Sequence, residues 1–190
     1  MTYKLFVIFL ITGIKPLFSQ DINIKAGVYD FTDIVATEFY IVAPSVFLGY
    51  DCLTMSRLKL NVSAGFSYNS IKYNSNRHNL YMIPLFISMI YELPNPESKI
   101  KPYAGGGLSF LGKADKNKSL EKTHYSVTYG YHAIGGLYFR IKEKVTLNFD
   151  LRYNLLLNPA MEEINISGII STVGIIIPLG SGKNQKSSRF

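Results

Sequence analysis

The stretch Val145-Thr146-Leu147-Asn148-Phe149-Asp150-Leu151-Arg152-Tyr153-Asn154-Leu155 alternates apolar and polar residues without a break. A strand turns successive side chains to opposite faces. One face here is therefore wholly apolar, and the other carries Thr, Asn, Asp, Arg and Asn. The run exceeds the roughly 5–6 residues usual for a soluble strand. It matches the roughly 9–11 residues that a tilted strand needs to cross a bilayer. Apolar outside and polar inside is the arrangement of a membrane-spanning barrel.

The rest of the chain agrees. Of 190 residues, 47% are hydrophobic and only 17% are charged, against about 25% charged in typical soluble domains. No run reaches the roughly 18 apolar residues of a membrane helix. The apolar content is spread in alternation, so any crossing must be made by strands. Tyr (14) and Phe (12) are abundant and Trp is absent, a composition that suits interfacial aromatic girdles and β-structure generally.

Eight strands are expected, at 22–31, 39–51, 57–70, 79–93, 100–112, 126–141, 144–157 and 164–179. In the third, Leu58, Leu60, Val62, Ala64, Phe66 and Tyr68 share one face, against Lys59, Asn61, Ser63, Gly65, Ser67 and Asn69. The sixth keeps the pattern except at Ile134. The fourth is apolar on both faces at Leu80, Met82 and Phe86, and Pro44 places a bulge or ladder end in the second. Gly65, Gly105, Gly107, Gly130 and Gly136 fall on the inner face. An eight-stranded barrel is only wide enough for side chains, so these glycines would make room for Tyr, Arg and Lys. Connections after strands 2, 4 and 6 are tight. The others are mostly longer, the longest being Lys113–Tyr125. Short turns on the periplasmic side and longer loops outside fit this alternation, with both chain ends periplasmic.

Residues 1–19 read as an export signal. Lys4 supplies the positive start, Leu5–Ile14 the apolar stretch, and Ser19 a small residue before the cleavage point. Loss of Lys4 and Lys15 with it lowers the net charge from +7 to +5. Residues 20–180 form the expected barrel domain, and 181–190 a polar, basic tail. The lone Cys52 permits no internal disulfide.

Two segments carry a family resemblance. Lys101-Pro102-Tyr103-Ala104-Gly105-Gly106-Gly107-Leu108 is similar to a Pro-Tyr-x-Gly-x-Gly strand, and Thr172-Val173-Gly174-Ile175-Ile176-Ile177-Pro178-Leu179 is similar to a barrel-insertion signal. Over about residues 20–180 the chain resembles the small eight-stranded OmpA/OmpX-type barrels, including the porin-like "outer membrane protein beta-barrel domain" families of Bacteroidetes-type bacteria. The resemblance implies the outer membrane of a Gram-negative bacterium. It also implies outer-membrane lipid and lipopolysaccharide as partners, the barrel-assembly machinery during insertion, and a monomer. Such chains commonly stop at an aromatic residue of the last strand, whereas here Ser181–Phe190 follows.

Candidate chemistry is sparse. Asp150, Arg152, Lys25, Lys59, Arg140 and His132 are expected on the lumen wall, as a packed polar plug rather than an ion path, because eight strands leave little room for water. His124-Tyr125-Ser126 resembles the His-x-Ser of outer-membrane lipid A deacylases, but Val127-Thr128 departs from their motif and strand 6 has no Asp or Glu. A triad needs that orienting carboxylate, so no catalytic residue is assigned. Lys113, Lys116, Lys118 and Lys122 would form a solvated loop tip or a contact for anionic lipid head groups. No metal-ligand spacing, cofactor motif or nucleic-acid face is found. The expected role is non-enzymatic: envelope maintenance or surface binding. A narrow solute channel, a lipid A-modifying hydrolase and a soluble lipocalin-like carrier are the alternatives.

Overall fold

In the computed structural model the described residues are 21–33, 36–37, 42–73, 76–94, 99–117, 122–142, 145–157 and 165–179. The expected signal at 1–19, the tail at 181–190 and Lys118 lie outside them. The strands are β1 (Asp21–Phe31), β2 (Val42–Met55), β3 (Leu58–Tyr73), β4 (Asn76–Glu92), β5 (Ile100–Asn117), β6 (Lys122–Lys142), β7 (Val145–Leu156) and β8 (Gly168–Pro178). They close in chain order, with β1 antiparallel to both β2 and β8. In lipid every backbone N–H and C=O needs a partner, and closure leaves no open edge within the ring.

The direction of the side chains decides between a membrane barrel and a soluble carrier. On β7, Asn148, Asp150, Arg152 and Asn154 are buried inside, while Phe149, Leu151, Tyr153 and Leu155 are exposed outside. The lipocalin-like arrangement is the reverse of this. The outward aromatics also mark the membrane. Tyr81 and Tyr91 on β4 stand ten positions apart, as do Tyr129 and Phe139 on β6. Ten residues at about 3.3 Å, tilted by about 40°, rise about 25 Å, the height of the apolar band of such barrels.

Inside, the filling is layered. At the outer level Tyr29, Phe47, Leu80, Met82, Phe86, Leu111 and Ile170 form an apolar plug. This explains why β4 is apolar on both faces: one face meets lipid and the other this plug. Near the end where β1 begins and β8 ends lies a smaller cluster of Ile90, Tyr103, Ile134, Tyr138 and Ile176. Ile134, the exception in the β6 pattern, belongs to it. Polar residues occupy the level between.

Two glycines show why the inner face needs them. A Cβ on Gly136 would stand 2.5 Å from the Tyr103 ring and hydroxyl. One on Gly174 would meet the Lys25 side chain 2.6 Å away. Pro44 sits above the start of the β2–β3 ladder, which begins at Ser45 and Ser67, so its missing N–H interrupts no bond there. The bulge falls later, between Asp51 and Leu53. It takes up Cys52, whose Sγ donates to the Leu60 carbonyl at 3.3 Å.

The main departure from expectation is length. The long loop expected at Lys113–Tyr125 is mostly ladder, paired as far as Asn117 and Lys122. The β3–β4 ladder likewise runs to Tyr73 and Asn76. Polar residues on both faces of these segments read as loop in the sequence. Above the membrane both faces of a strand meet water, so period-two patterning is lost while pairing continues.

Candidate functional site: the barrel interior, its two mouths and the protruding sheet

At mid-depth Lys25 Nζ pairs directly with Asp150 Oδ2. Asp150 also accepts from Thr172 Oγ1 at 2.7 Å and from the Tyr103 hydroxyl at 3.3 Å. Asn148 Nδ2 donates to the Tyr103 oxygen at 2.7 Å. Arg152 lies with its guanidinium carbon 3.9 Å from the Phe86 ring centroid, a cation–π contact that shields a buried charge. The His132 Nε2 and Ser88 hydroxyl are 2.9 Å apart. On the adjoining strands Asn23 and Asn61 both donate to Asp51 Oδ1, at 3.2 and 2.6 Å. Buried charges are stable only when paired and hydrogen-bonded, and this layer meets that condition around Asp150.

The expected lumen residues thus divide. Lys25, His132, Asp150 and Arg152 converge in the central layer. Lys59 lies lower, paired with Glu92 at 2.7 Å. Arg140, expected on the same wall, is instead exposed at the mouth where β1 begins, because β6 there has passed below the last inward-packed residue, Tyr138. The space among Lys25, Asp150 and Arg152 is about 10 Å³, room for roughly one water. Apolar clusters stand above and below it. The interior is packed at each of these levels.

The lysine-rich tip also needs correction. Lys113 is buried, facing inward from β5, and Lys116 alone of the four is seen exposed. The stem around Lys113 is barrel wall, so that lysine offers nothing to lipid head groups. His124 is exposed and Ser126 half-buried. Both follow the inward parity of β6, while Tyr125 and Val127 face outward. In the β5–β6 register Asp115 is the Cα partner of His124.

Sequence reasoning also missed what the unequal strands create. The β7 ladder stops with Leu156 opposite Gly130, and Leu157 N donates to the Tyr129 carbonyl at 3.0 Å. Beyond that, β6 continues to Lys122, paired with β5 alone among the described residues. This stretch rises roughly 20 Å further by strand geometry. Tyr125 and Val127 on it are 79% and 80% exposed, while no other large apolar side chain among the described residues exceeds 60%. The extra exposure goes with the absence of a strand beside this stretch among the described residues. Because the Tyr129 carbonyl points toward β7, Val127, Tyr125 and Thr123 turn their N–H and C=O groups to the same, open side. The alternation of Tyr125, Val127, Tyr129 and Tyr131 was the available sequence signal; the absence of a partner strand was not.

Solved structures with the same architecture include Neisserial surface protein A, 18% identical, with the match covering 83% of this chain and 96% of that one at a TM-score of 0.63. The outer membrane protein OprG from Pseudomonas aeruginosa is 12% identical, with 86% and 97% covered and a TM-score of 0.62. A major outer membrane protein from Thermus thermophilus is 9% identical, with 84% and 98% covered and a TM-score of 0.56. At these identities the likeness establishes the fold. No curated protein shows a significant match to the chain. The sequence pattern of the Opacity family porin proteins matches residues 45–176. With its closed ring of eight antiparallel strands, apolar outside and polar within, the chain belongs to the Opacity family of outer-membrane barrel proteins.

Proposed function

We propose that this barrel is a non-enzymatic surface-binding protein whose protruding sheet takes an extended segment of an external partner along the open edge of β6. The observation that carries this is the exposure of Tyr125 and Val127 beside a strand edge with no described neighbour. An unpaired edge is a template for strand addition: main-chain bonds supply affinity, and alternating side chains supply selectivity. Here the outward pair is apolar, and Lys116 on the adjoining strand is exposed. A conducting role is disfavoured by the packed interior.

The test is adherence of cells displaying the full chain to a panel of immobilised matrix and serum proteins, against the Val127→Pro variant. Proline at 127 removes only the donor that faces the open side, and an edge tolerates it. Adherence lost in the variant, with unchanged heat-modifiable gel mobility, supports the reading. Equal adherence of both, or discrete conductance steps in planar bilayers, contradicts it.

A further inference from the structure

At the opposite end of the barrel a cup of about 210 Å³ opens to the periplasm, lined by residues from all eight strands. Its roof is closed by Tyr138, stacked on Tyr103 with ring centroids 4.2 Å apart, and by buried Ile176. Four cations line it: Lys59, Lys99, Lys101 and Arg140. Two carboxylates, Asp21 and Glu92, line it as well. Glu92 is engaged by Lys59 at 2.7 Å, and Lys59 also lies 5.0 Å from the Tyr138 ring centroid. Lys99, Lys101 and Arg140 have no ion-pair partner among the described residues. The lining thus carries a net of two positive charges. A second observation points the same way. Thr54 lines the cup, and its Oγ1 is buried with no hydrogen-bond partner among the described residues. A buried hydroxyl left without a partner is costly.

We propose that this cup is an oxyanion site that takes a phosphate group presented from the periplasmic side. A phosphate monoester carries about −1.5 to −2 charges at neutral pH, which the net lining charge balances, and a phosphodiester head group carries a single charge that the same lining also attracts. The Arg140 guanidinium presents a planar fork of donors suited to a tetrahedral oxyanion. Lys99 and Lys101 add point charges, and Thr54 a hydroxyl. The cup's volume is about 20 times that of the one-water space beside Asp150. That accommodates a phosphate with a short polar substituent, and nothing as large as a sugar chain. The group comes either from a soluble phosphate ester or from a phospholipid head group curling over the rim.

The experiment is calorimetric titration of the full chain, refolded in octyl glucoside, with inorganic phosphate and with glycerol 3-phosphate. Saturable one-to-one binding is expected. The Lys101→Gln/Arg140→Gln double variant should weaken it at least about tenfold, since two charge-assisted bonds are lost. Thr54→Val should weaken it about threefold to tenfold. Lys99→Gln, on the exposed rim, reads the same site without loading the fold. Lys116→Gln, at the far end, should change nothing. Absence of saturable binding, or equal affinity in the wild type and the double variant, overturns the proposal. In nanodiscs, loss of phosphate binding when phosphatidylglycerol is included identifies the occupant as a lipid head group. Unchanged binding identifies it as a soluble ester.

Discussion

The wall of this barrel has two halves. β7, β8, β1 and β2 end near the outer membrane surface, at Leu156, Gly168, Phe31 and Val42, whereas β3 to β6 continue to Tyr73, Asn76, Asn117 and Lys122. At membrane level every position has two demands on it. Outward side chains must suit lipid, and inward ones must fill a narrow, layered core. Above the membrane the first demand vanishes for the long half, and along the β6 edge so does the neighbouring strand. Stability therefore resides in the ring, while the extension is free to present backbone and apolar side chains. The comparison predicts costs that fall steadily from the buried layer to the edge.

Asp150→Ala should do the most damage. It leaves Lys25 and Arg152 buried without their counter-charge and removes an acceptor used by Thr172 and Tyr103. Breaking a buried pair in this way costs about 3–5 kcal/mol, read as a lowered urea midpoint in detergent or bilayer. An unchanged midpoint would mean that the charges are solvated and the lumen is wet. Next comes Leu151→Arg on the lipid face. Phe139 pairs with Leu147, and Leu157 bonds to Tyr129, so Leu151 lies near mid-depth between the girdles. A charge there costs about 2–4 kcal/mol, measured by folding into lipid vesicles. Gly136→Ala drives a methyl against the Tyr103 ring and the Phe149 carbonyl. Overpacking of this kind costs about 1–3 kcal/mol, visible in the same denaturation. Smallest of all, Tyr125→Ser and Val127→Thr should change stability by less than about 0.5 kcal/mol while reducing partner adherence. A large loss of stability from either would show that the edge is packed rather than open.

Much of the ring was legible because membrane strands are constrained on both faces. β7 reads directly from its alternation, and the inner glycines of β3, β5 and β6 fall where the structure has them. Two local anomalies were legible as anomalies only. Ile134 and the two-sided apolar pattern of β4 needed the interior layers before they made sense, since whether an inward position is polar or apolar depends on its depth. Lys113 and Arg140 were misplaced for the opposite reason. Their charge was read as address, a solvated tip for one and a lumen wall for the other, but depth along the strand decided both. The open edge and the periplasmic cup were not legible at all. The edge depends on where β7 stops relative to β6, and the cup gathers residues from every strand. Both are products of closure and unequal length, which no single segment encodes.

The central claim is that apolar side chains meet lipid while their polar neighbours pack within. It is tested most directly by placing single cysteines at each of residues 147–155 in a Cys52→Ser background, labelling them with an environment-sensitive fluorophore, and quenching with brominated lipid after insertion into vesicles. Strong quenching at 147, 149, 151, 153 and 155, alternating with weak quenching at 148, 150, 152 and 154, is the predicted result. An inverted alternation, or none, would contradict it.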